Sequence, residues 1–287
     1  MHKTKTHIVP KLTKPVRLQD YGVGIFNLVF TKSALKKALK KNYITVNGAI
    51  ATSATFIIGG ETICLTLPED SKPRTKLVLK LDVLFKDDYL AVIHKPAGIL
   101  VNGNSFKTIA NALIQNLKSS SLPERTTPQP IHRLDYPTTG LLLIGKTTSS
   151  IRALNKLFEN KKIKKTYYAI TIGEMKLKGK ITSKIDGKRS QSNYKVKFSV
   201  PSKRFGTLNL VKLKPKTGRK HQLRKHLLSI GNPILGDKDY AINHLILKGK
   251  GLYLHAYSLK FTHPSTKEKL FIKDEIPQKF KKIFNTI

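Results

Sequence analysis

Asp135 is the acidic residue whose position in the sequence most needs a chemical reason. It lies in the segment from His132 to Ile144, two residues after Arg133 and just before a Gly-Leu-Leu-Leu-Ile run. The chain has 54 Lys and Arg residues but only 17 Asp and Glu residues, so carboxylates are scarce. A carboxylate beside such an apolar run is either half of a buried ion pair or a catalytic group.

The local sequence predicts that this carboxylate stands at the edge of a strand. Pro137 favours an extended Tyr136, and Gly140 lets the chain enter an apolar strand over residues 141–144. A carboxylate there is desolvated on one side, which raises its pKa, whereas a neighbouring arginine lowers it. A nucleophilic carboxylate must be ionised, so an arginine partner is expected.

Arg133 and Arg224 are the two candidate partners. Arg133 is close in sequence. Arg224 lies in a predicted helix over residues 221–230, beside the apolar face formed by Leu223, Leu227 and Ile230. That setting is typical of an arginine directed inward rather than of a free surface charge.

The overall charge indicates a polyanionic partner. The formal net charge is +37, and hydrophobic residues make up 39% of the chain, enough to build a core. Nucleic acid is the default partner, because neutralising phosphates releases counterions. An anionic membrane surface is the rival. The longest apolar runs are only of strand length, so no segment is expected to span a bilayer.

The cysteine and histidine content predicts no disulfide and no metal site. Cys64 is the only cysteine, which fits a reducing, cytoplasmic compartment. His221 and His226 are five residues apart, which is off the same-face spacing of a helical metal pair. No metal and no redox cofactor is expected.

The chain divides into four predicted parts. Residues 1–13 are basic, lack the apolar stretch of a signal peptide, and are expected to be a flexible tail. Residues 14–67 form a small α+β unit, 68–80 a linker with prolines, and 81–287 a large domain. The large domain has hairpin strands outnumbering helices, which predicts an α+β fold with a mixed or antiparallel sheet.

The small unit resembles the S4-type RNA-binding domain. Residues 33–41 predict a helix with Leu35 and Leu39 on one face, followed by a strand and by Asn47-Gly48, a strong type I′ hairpin signal. The lysines of this helix are expected to contact RNA: Lys36, Lys37 and Lys40. The unit lacks the family's Arg-Leu-Asp opening, and a generic small α+β module is the alternative.

In the large domain, the sequence predicts a strand hairpin over residues 81–93, a helix over 108–117, a polar loop over 119–130 and a helix capped by Ser149 or Ser150. Further strands are predicted at 166–172, 194–199, 208–213, 252–254 and 258–262. Residues 140–147 match the letters of a phosphate-binding P-loop. Their middle residues are strongly strand-forming, so we reject a nucleotide site there.

The order of four motifs resembles the RluA-type pseudouridine synthase family. The motifs lie within residues 83–98, 132–146, 165–169 and 217–237, and the likeness spans about 81 to 280. The resemblance implies isomerisation of uridine in ribosomal or transfer RNA, with no cofactor and no obligatory protein partner. It further implies that Asp135 is the catalytic aspartate, that Tyr167 stacks on the flipped base and assists proton removal, and that Arg224 pairs with Asp135.

The resemblance also implies RNA contacts. Arg133 would fill the space that the base leaves, with His132 and Arg219 as further RNA-binding residues. This sequence departs from the family pattern in having Tyr136 where a basic residue is usual, Thr139 in place of serine, and Lys225 in place of an aliphatic residue. These departures leave the RNA target open.

Plainer interpretations stay open for the same residues. Asp135 and Arg224 are also compatible with a structural ion pair, Tyr167 with an ordinary sheet tyrosine, and His132 with a supporting hydrogen-bonding role. At the level of function, the alternative is a non-catalytic RNA-binding or ribosome-assembly protein. A weaker one is an RNA-cleaving enzyme using His132, His221 or His226.

Overall fold

The computed structural model describes residues 3–26, 29, 32–68, 77–242, 245–247 and 249–284. Two compact units divide the chain, Met1–Thr75 and Lys76–Ile287, and each is described by itself. Most of the expected 68–80 linker lies outside the described residues. Within the described part of the chain, no helix is long and apolar enough to cross a membrane.

In its described residues, the N-terminal unit contains two short helices and two small sheets. Its elements in chain order are β1 (Lys3–Ile8), β2 (Val16–Arg17), α1 (Leu18–Tyr21), α2 (Lys32–Lys40), β3 (Ile44–Val46), β4 (Ala49–Ile50), β5 (Phe56–Ile57) and β6 (Thr62–Leu67). One sheet has the order β1-β6-β3-β4, and β2 pairs with β5 in the other.

The expectation of a flexible tail over residues 1–13 is wrong for residues 3–8, which form strand β1. Lys3–Ile8 pairs antiparallel with β6, from Lys3 opposite Leu67 to Ile8 opposite Thr62. The basic residues that suggested a tail are also typical of edge strands, where charge discourages further pairing. Without β1, the outer edge of β6 would have unpaired backbone groups.

The predicted helix and hairpin of this unit are confirmed. Leu35 and Leu39 of α2 are buried, as their spacing requires. Asn47 and Gly48 both have positive φ, of 49° and 82°, and connect β3 to β4. The backbone of a type I′ turn needs both residues in this region, which explains the Asn-Gly pair.

The second unit is built on one mixed sheet. Its elements in chain order are β7 (Val83–Lys86), β8 (Leu90–Lys95), α3 (Ile109–Asn116), β9 (Arg125–Pro130), β10 (Thr139–Thr147), α4 (Thr148–Glu159), β11 (Lys164–Ile172), β12 (Lys178–Ile181), β13 (Ser192–Ser202), β14 (Gly206–Pro215), α5 (Gln222–Ser229), β15 (Leu254–Thr262), β16 (Lys269–Lys273) and α6 (Gln278–Lys281). The strand order is β12-β13-β14-β11-β15-β10-β8-β7, with β16 beside β15 and β9 beside β10.

Strand β10 is buried on both faces, which accounts for its unbroken apolar run. Leu142 packs in a cluster with Ile109 of α3 on one side, and Leu141 packs with Leu154 of α4 on the other. The strand therefore spends its backbone N–H groups in the sheet, paired with β8 from Gly140 to Gly145. The rejection of a P-loop at residues 140–147 is confirmed by this pairing.

The start of β10 approaches β15 too closely for any side chain. Thr139 and Gly140 pair in parallel with His255 and Ala256, in a sheet whose other named strand pairings are antiparallel. A Cβ atom on Gly140 would stand 2.3 Å from the Ala256 carbonyl oxygen, and φ at Gly140 is +110°. Glycine is thus required where the chain leaves the Asp135 turn and joins the sheet.

Three local predictions in this unit need correction. Residues 125–130 form β9 rather than part of a loop; among the described strands β9 pairs with β10 alone, and an edge strand of this kind tolerates prolines. The N-cap of α4 is Thr147, whose hydroxyl accepts a hydrogen bond from the backbone of Ser150 in a capping box. The separate strands expected at 252–254 and 258–262 are one strand, β15, with a bulge near Tyr257.

Candidate active site

A tight turn positions Asp135 between β9 and β10. The Thr138 N–H donates to the Asp135 carbonyl oxygen at 3.0 Å, which closes the turn. The Gly98 N–H donates to the carbonyl oxygen of Tyr136 at 2.9 Å and ties the turn to the loop after β8. The carboxylate side chain is 23% exposed, so it is partly desolvated and still accessible.

Lys95 donates hydrogen bonds to the backbone of this turn, a role that the sequence did not predict. Its fully buried ammonium donates to the carbonyl oxygens of Pro96 at 2.9 Å, Tyr136 at 3.3 Å and Thr138 at 2.9 Å. Burial lowers the pKa of Lys95 to about 8, against the opposing effect of the Asp135 charge. The ammonium thus uses two of its donors on the turn that carries the carboxylate, at Tyr136 and Thr138, and the third on its own neighbour Pro96.

Two cationic or potentially cationic groups stand beside the carboxylate. His221 Nε2 is 3.7 Å from Asp135 Oδ1, and Arg224 Nη1 is 4.0 Å from Asp135 Oδ2. Arg224 therefore stands where the sequence placed it, at the outer limit of an ion pair. These residues line a cleft of about 500 Å³ together with Tyr167, Leu223 and other side chains.

The shorter contacts of Arg224 go to other carboxylates. Its Nε and Nη2 donate to the two oxygens of Asp237 at 2.6 and 2.5 Å, and Nη2 also donates to Asp239 at 2.7 Å. Burial acts to lower the pKa of Arg224, but the hydrogen bonds that it donates to Asp237 and Asp239 outweigh burial and raise the pKa. The guanidinium is thus locked as a fixed positive charge facing Asp135.

His221 begins α5 in a left-handed conformation, with φ of 54°. Its Nδ1 is 2.9 Å from the Tyr240 hydroxyl. Burial lowers the pKa of His221 more than the charge of Asp135 raises it, so the ring is neutral near pH 7. A carboxylate only accepts, which favours the tautomer with the proton on Nε2 facing Asp135 and with Tyr240 donating to Nδ1.

Tyr167 enters the cleft from β11. Burial raises the pKa of Tyr167, and the negative charge of Asp135 raises it further. The phenol therefore stays protonated at neutral pH, which suits a stacking platform or a hydrogen-bond donor. Proton removal by Tyr167 would first require loss of its own proton.

The other predicted site residues have distinct surroundings. His132 Nε2 accepts from the Leu143 N–H at 3.1 Å, and burial lowers the pKa of His132 to about 3. The ring is therefore neutral and already engaged with the backbone. Arg133 and Arg219 are exposed at the rim of the cleft.

The three predicted RNA-binding lysines of the N-terminal unit are on the exposed side of α2: Lys36, Lys37 and Lys40. His226 is fully buried, with Ser190 and Ser192 at hydrogen-bonding distance, so it has a structural setting. In the described residues, no group of three or more His, Cys, Asp or Glu side chains is arranged to hold a metal ion.

The sequence profile of the RNA pseudouridylate synthase family matches residues 89–229, a span that includes Asp135, Tyr167 and Arg224. A tRNA pseudouridine synthase C of Haemophilus ducreyi is 34% identical over 72% of this chain and 96% of the relative. A ribosomal large subunit pseudouridine synthase D of Nitrosomonas europaea is 30% identical over 86% of this chain and 78% of the relative. The chain belongs to the RNA pseudouridylate synthase family.

A solved structure agrees with this membership. Human RNA pseudouridylate synthase domain containing 4 superposes with a TM-score of 0.54 at 27% identity, covering 69% of this chain and 90% of that one. The expected family and the α+β fold with a mixed sheet are confirmed. The chain is an isomerase that converts uridine in RNA to pseudouridine.

The sequence did not predict the roles of three residues at this synthase site. Lys95 is the last residue of an otherwise mostly apolar strand and precedes a proline. A lysine that continues such a run is the sequence signal that could have marked it as buried. Asp237 and Tyr240 lie in the segment that follows the helix of Arg224. No periodic pattern connects a helix to the loop that follows it, so their contacts depend on the fold.

Proposed function

We propose that Asp135 is the catalytic carboxylate of this synthase and that its substrate is ribosomal or transfer RNA. The observation that carries the assignment is the setting of Asp135 in the cleft, between the fixed charge of Arg224 and the neutral ring of His221. The relatives named above act on large-subunit ribosomal RNA and on tRNA according to their names. Both RNA classes are therefore candidates.

The chemistry requires few protein groups. The bond from C1′ to N1 of uracil breaks, the base turns, and C1′ rejoins the base at C5. The hydrogen on C5 leaves as a proton, and N1 ends with a proton. A carboxylate supports this by attacking the sugar or the ring, or by taking the proton. Arg224 supplies a fixed positive charge 4.0 Å from the Asp135 carboxylate.

Tyr167 is proposed as the platform for the base. The target base must leave its stack, at a cost of a few kcal/mol unless it is already unpaired. An aromatic side chain compensates by stacking on the free ring. Arg133 and Arg219, exposed at the rim, are placed to contact the RNA near the displaced base, and His132 supports the cleft through its bond to the backbone.

The N-terminal unit is proposed as an S4-like RNA-binding domain at residues 14–67, joined by the 68–80 segment to a catalytic domain at 81–287. The exposed lysines of α2 supply charge for phosphate contacts. We further propose a cytoplasmic location. Its support is the single cysteine and the RNA substrate of the family.

The decisive experiment measures tritium release from RNA labelled at uridine C5. Wild type and Asp135→Asn are compared on separate ribosomal and transfer RNA that lack modifications. Release by wild type alone supports Asp135 as catalytic and identifies the RNA class. Equal release by Asp135→Asn would overturn the assignment. Binding without release by wild type on either RNA would favour a role in RNA binding or ribosome assembly.

A further inference from the structure

A second, larger groove lies on the sheet face opposite the catalytic cleft. Tyr167 lines the cleft and Tyr168 lines the groove, and successive side chains of a strand point to opposite faces. The groove has a volume of about 1020 Å³. Its floor is formed by side chains of β11, β14, β15 and β16.

The groove is strongly and almost exclusively positive. Nine Lys and Arg side chains line it against a single acid, Glu159. Among the described residues, no ion pair relieves any of these nine cations. Burial lowers the pKa of Lys212, and the charges of Lys214 and other lysines lower it further. Such like-charge crowding destabilises the free protein unless a polyanion binds there.

Aromatic side chains are interleaved with these lysines. Phe271 is 55% exposed, and the ammonium groups of Lys260 and Lys273 lie 5.9 and 4.8 Å from its ring centre. Tyr257 packs edge-on against Tyr168, with ring centres 4.9 Å apart. Cationic side chains that track phosphates, together with aromatic rings on which bases stack, are typical of surfaces for unpaired nucleic acid strands.

The groove is continuous with the catalytic cleft around one rim of the sheet. Six residues line both: Phe158, Lys165, Pro215, Thr217, Gly218 and Arg219. A nucleic acid strand that enters the cleft can therefore pass Arg219 and reach the opposite face of the sheet while staying in contact with the protein surface. A flat lipid surface would contact the rim of a concave groove but not its floor, so charge and shape together favour a flexible strand.

We propose that this groove, here named the lysine groove, binds the single-stranded RNA segment that continues from the target uridine. This proposal rests on the proposed function of the cleft, because it assigns the path of the same substrate. The RNA would bend around the rim at Arg219, place phosphates against Lys214, Lys260 and Lys273, and stack a base on Phe271.

The test compares two triple variants of equal charge. Lys214→Gln/Lys260→Gln/Lys273→Gln removes three exposed cations of the groove. Lys178→Gln/Lys184→Gln/Lys188→Gln removes three exposed cations that line neither the groove nor the cleft. RNA affinity and tritium release are measured over a range of salt concentrations, with oligonucleotides extended stepwise on either side of the uridine.

The groove variant is expected to weaken binding of long RNA and to reduce the salt slope of log K by about 2, since each lost phosphate contact removes roughly 0.7 for single strands. Its KM rises while its kcat at saturating RNA matches that of wild type. With the shortest active oligonucleotide, groove variant and wild type bind alike. The melting temperature is expected to be unchanged or higher, because repulsion is relieved.

Three outcomes would overturn the proposal: equal slopes for both triple variants, a groove defect that persists with the shortest oligonucleotide, or loss of binding to anionic lipid vesicles with RNA binding intact. Phe271→Ala provides a second arm, expected to weaken long-RNA binding several-fold without changing the salt slope. Wild-type turnover is recorded in the same assay. A wild type without turnover contradicts the proposed function, whereas an active wild type with an unaffected groove variant contradicts only the groove.

Discussion

Arg224 donates two hydrogen bonds to Asp237 and stands 4.0 Å from Asp135, so the structural partner and the candidate catalytic partner of one guanidinium are different carboxylates. Asp237 has no exposed side-chain surface, whereas the Asp135 side chain is 23% exposed. The buried pair fixes the arginine, and the fixed arginine provides the positive charge that faces the cleft. Stability and catalysis are thereby separable at this site.

We expect Arg224→Ala to destabilise the protein through Asp237. Removing one partner of a buried pair typically costs about 3–5 kcal/mol, because the remaining charge is uncompensated. Asp135→Asn is expected to change the free energy of unfolding little, since the contact at 4.0 Å is long and the carboxylate is reached by water. Denaturant unfolding of both variants measures the difference.

Double-mutant cycles give the sharper test of this separation. The coupling energy between Arg224→Ala and Asp237→Asn is expected to exceed that between Arg224→Ala and Asp135→Asn, because residues in direct contact couple by about 0.5–3 kcal/mol. Equal couplings, or a larger one with Asp135, would show that Arg224 is held mainly by the candidate catalytic carboxylate.

Lys95→Met is expected to damage the site without touching substrate. The change keeps an unbranched side chain but removes three hydrogen bonds to the carbonyl oxygens of Pro96, Tyr136 and Thr138. A buried acceptor left unpaired costs about 1–3 kcal/mol, so both stability and the position of the Asp135 turn change. The expected result is a lower melting temperature together with a kcat reduced at least tenfold.

Lys146→Met serves as a control for Lys95, because Lys146 is also buried in this unit and hydrogen-bonds the backbone, at Asp87, away from the cleft. That variant is expected to lose stability with a nearly unchanged kcat. A similar loss of kcat in both variants would mean that general destabilisation, rather than the Asp135 turn, explains the effect.

The Tyr240 hydroxyl, which contacts His221 beside Asp135, is expected to affect kcat/KM. Tyr240→Phe keeps the ring over the Arg224 guanidinium, 4.8 Å from its centre, but removes the hydroxyl 2.9 Å from His221 Nδ1. The neutral tautomer is then no longer fixed, and Nδ1 is free to take a proton. A neutral hydrogen bond is worth about 1 kcal/mol, which corresponds to a fall in kcat/KM of roughly fivefold.

The pH profile distinguishes this role from simple packing. In Tyr240→Phe, the acid limb of kcat/KM is expected to move to higher pH, because His221 protonates more readily beside Asp135, with Arg224, Lys220 and Asp239 as the other charges around it. His221→Asn tolerates the left-handed backbone and is expected to lose that shift. A uniform fall in kcat/KM with an unmoved acid limb would assign Tyr240 to packing alone.

The sequence predicted which segments form helices and turns better than it predicted which segments contact one another in the folded protein. The spacing of Leu35 and Leu39 predicted a buried helix face, and Asn47-Gly48 predicted its turn, because both signals are local. The strand at Lys3–Ile8 was missed because it pairs with β6 at the far end of the unit, as the partners Lys3 and Leu67 show. Long-range pairing leaves little trace in a local pattern.

At the candidate site, too, the sequence indicated individual residues but not their contacts. Asp135 stood out through scarcity of acids and its place before an apolar strand, and Arg224 through its inward helical position. The order of contacts around Arg224 did not follow, since Asp237, Asp239 and Asp135 compete for one guanidinium and distance decides among them. The sequence suggested His221 only as an RNA-cleaving or metal-binding residue, because neither its left-handed backbone nor its place 3.7 Å from Asp135 has a sequence signature.

Two histidines with lowered pKa values, His255 and His132, predict a loss of stability in mild acid. Burial lowers the pKa of His255 to about 4 and that of His132 to about 3. An unfolded histidine titrates near 6.5, so between that value and the folded pKa only the unfolded chain binds the proton. Each ring therefore contributes stability that is present above about pH 6.5 and is lost as pH falls, by up to ~1.4 kcal/mol per pH unit.

Denaturant unfolding at several pH values between 7 and about 4.5 measures this dependence. His255→Gln is expected to flatten the pH slope by about one proton, whatever its stability at pH 7. Ile144→Val lowers stability by about 0.5–1.5 kcal/mol without removing a titratable group and is expected to keep the full slope. An unchanged slope in His255→Gln would mean that the ring protonates in the folded protein, despite its burial beside Thr139 and Asp274.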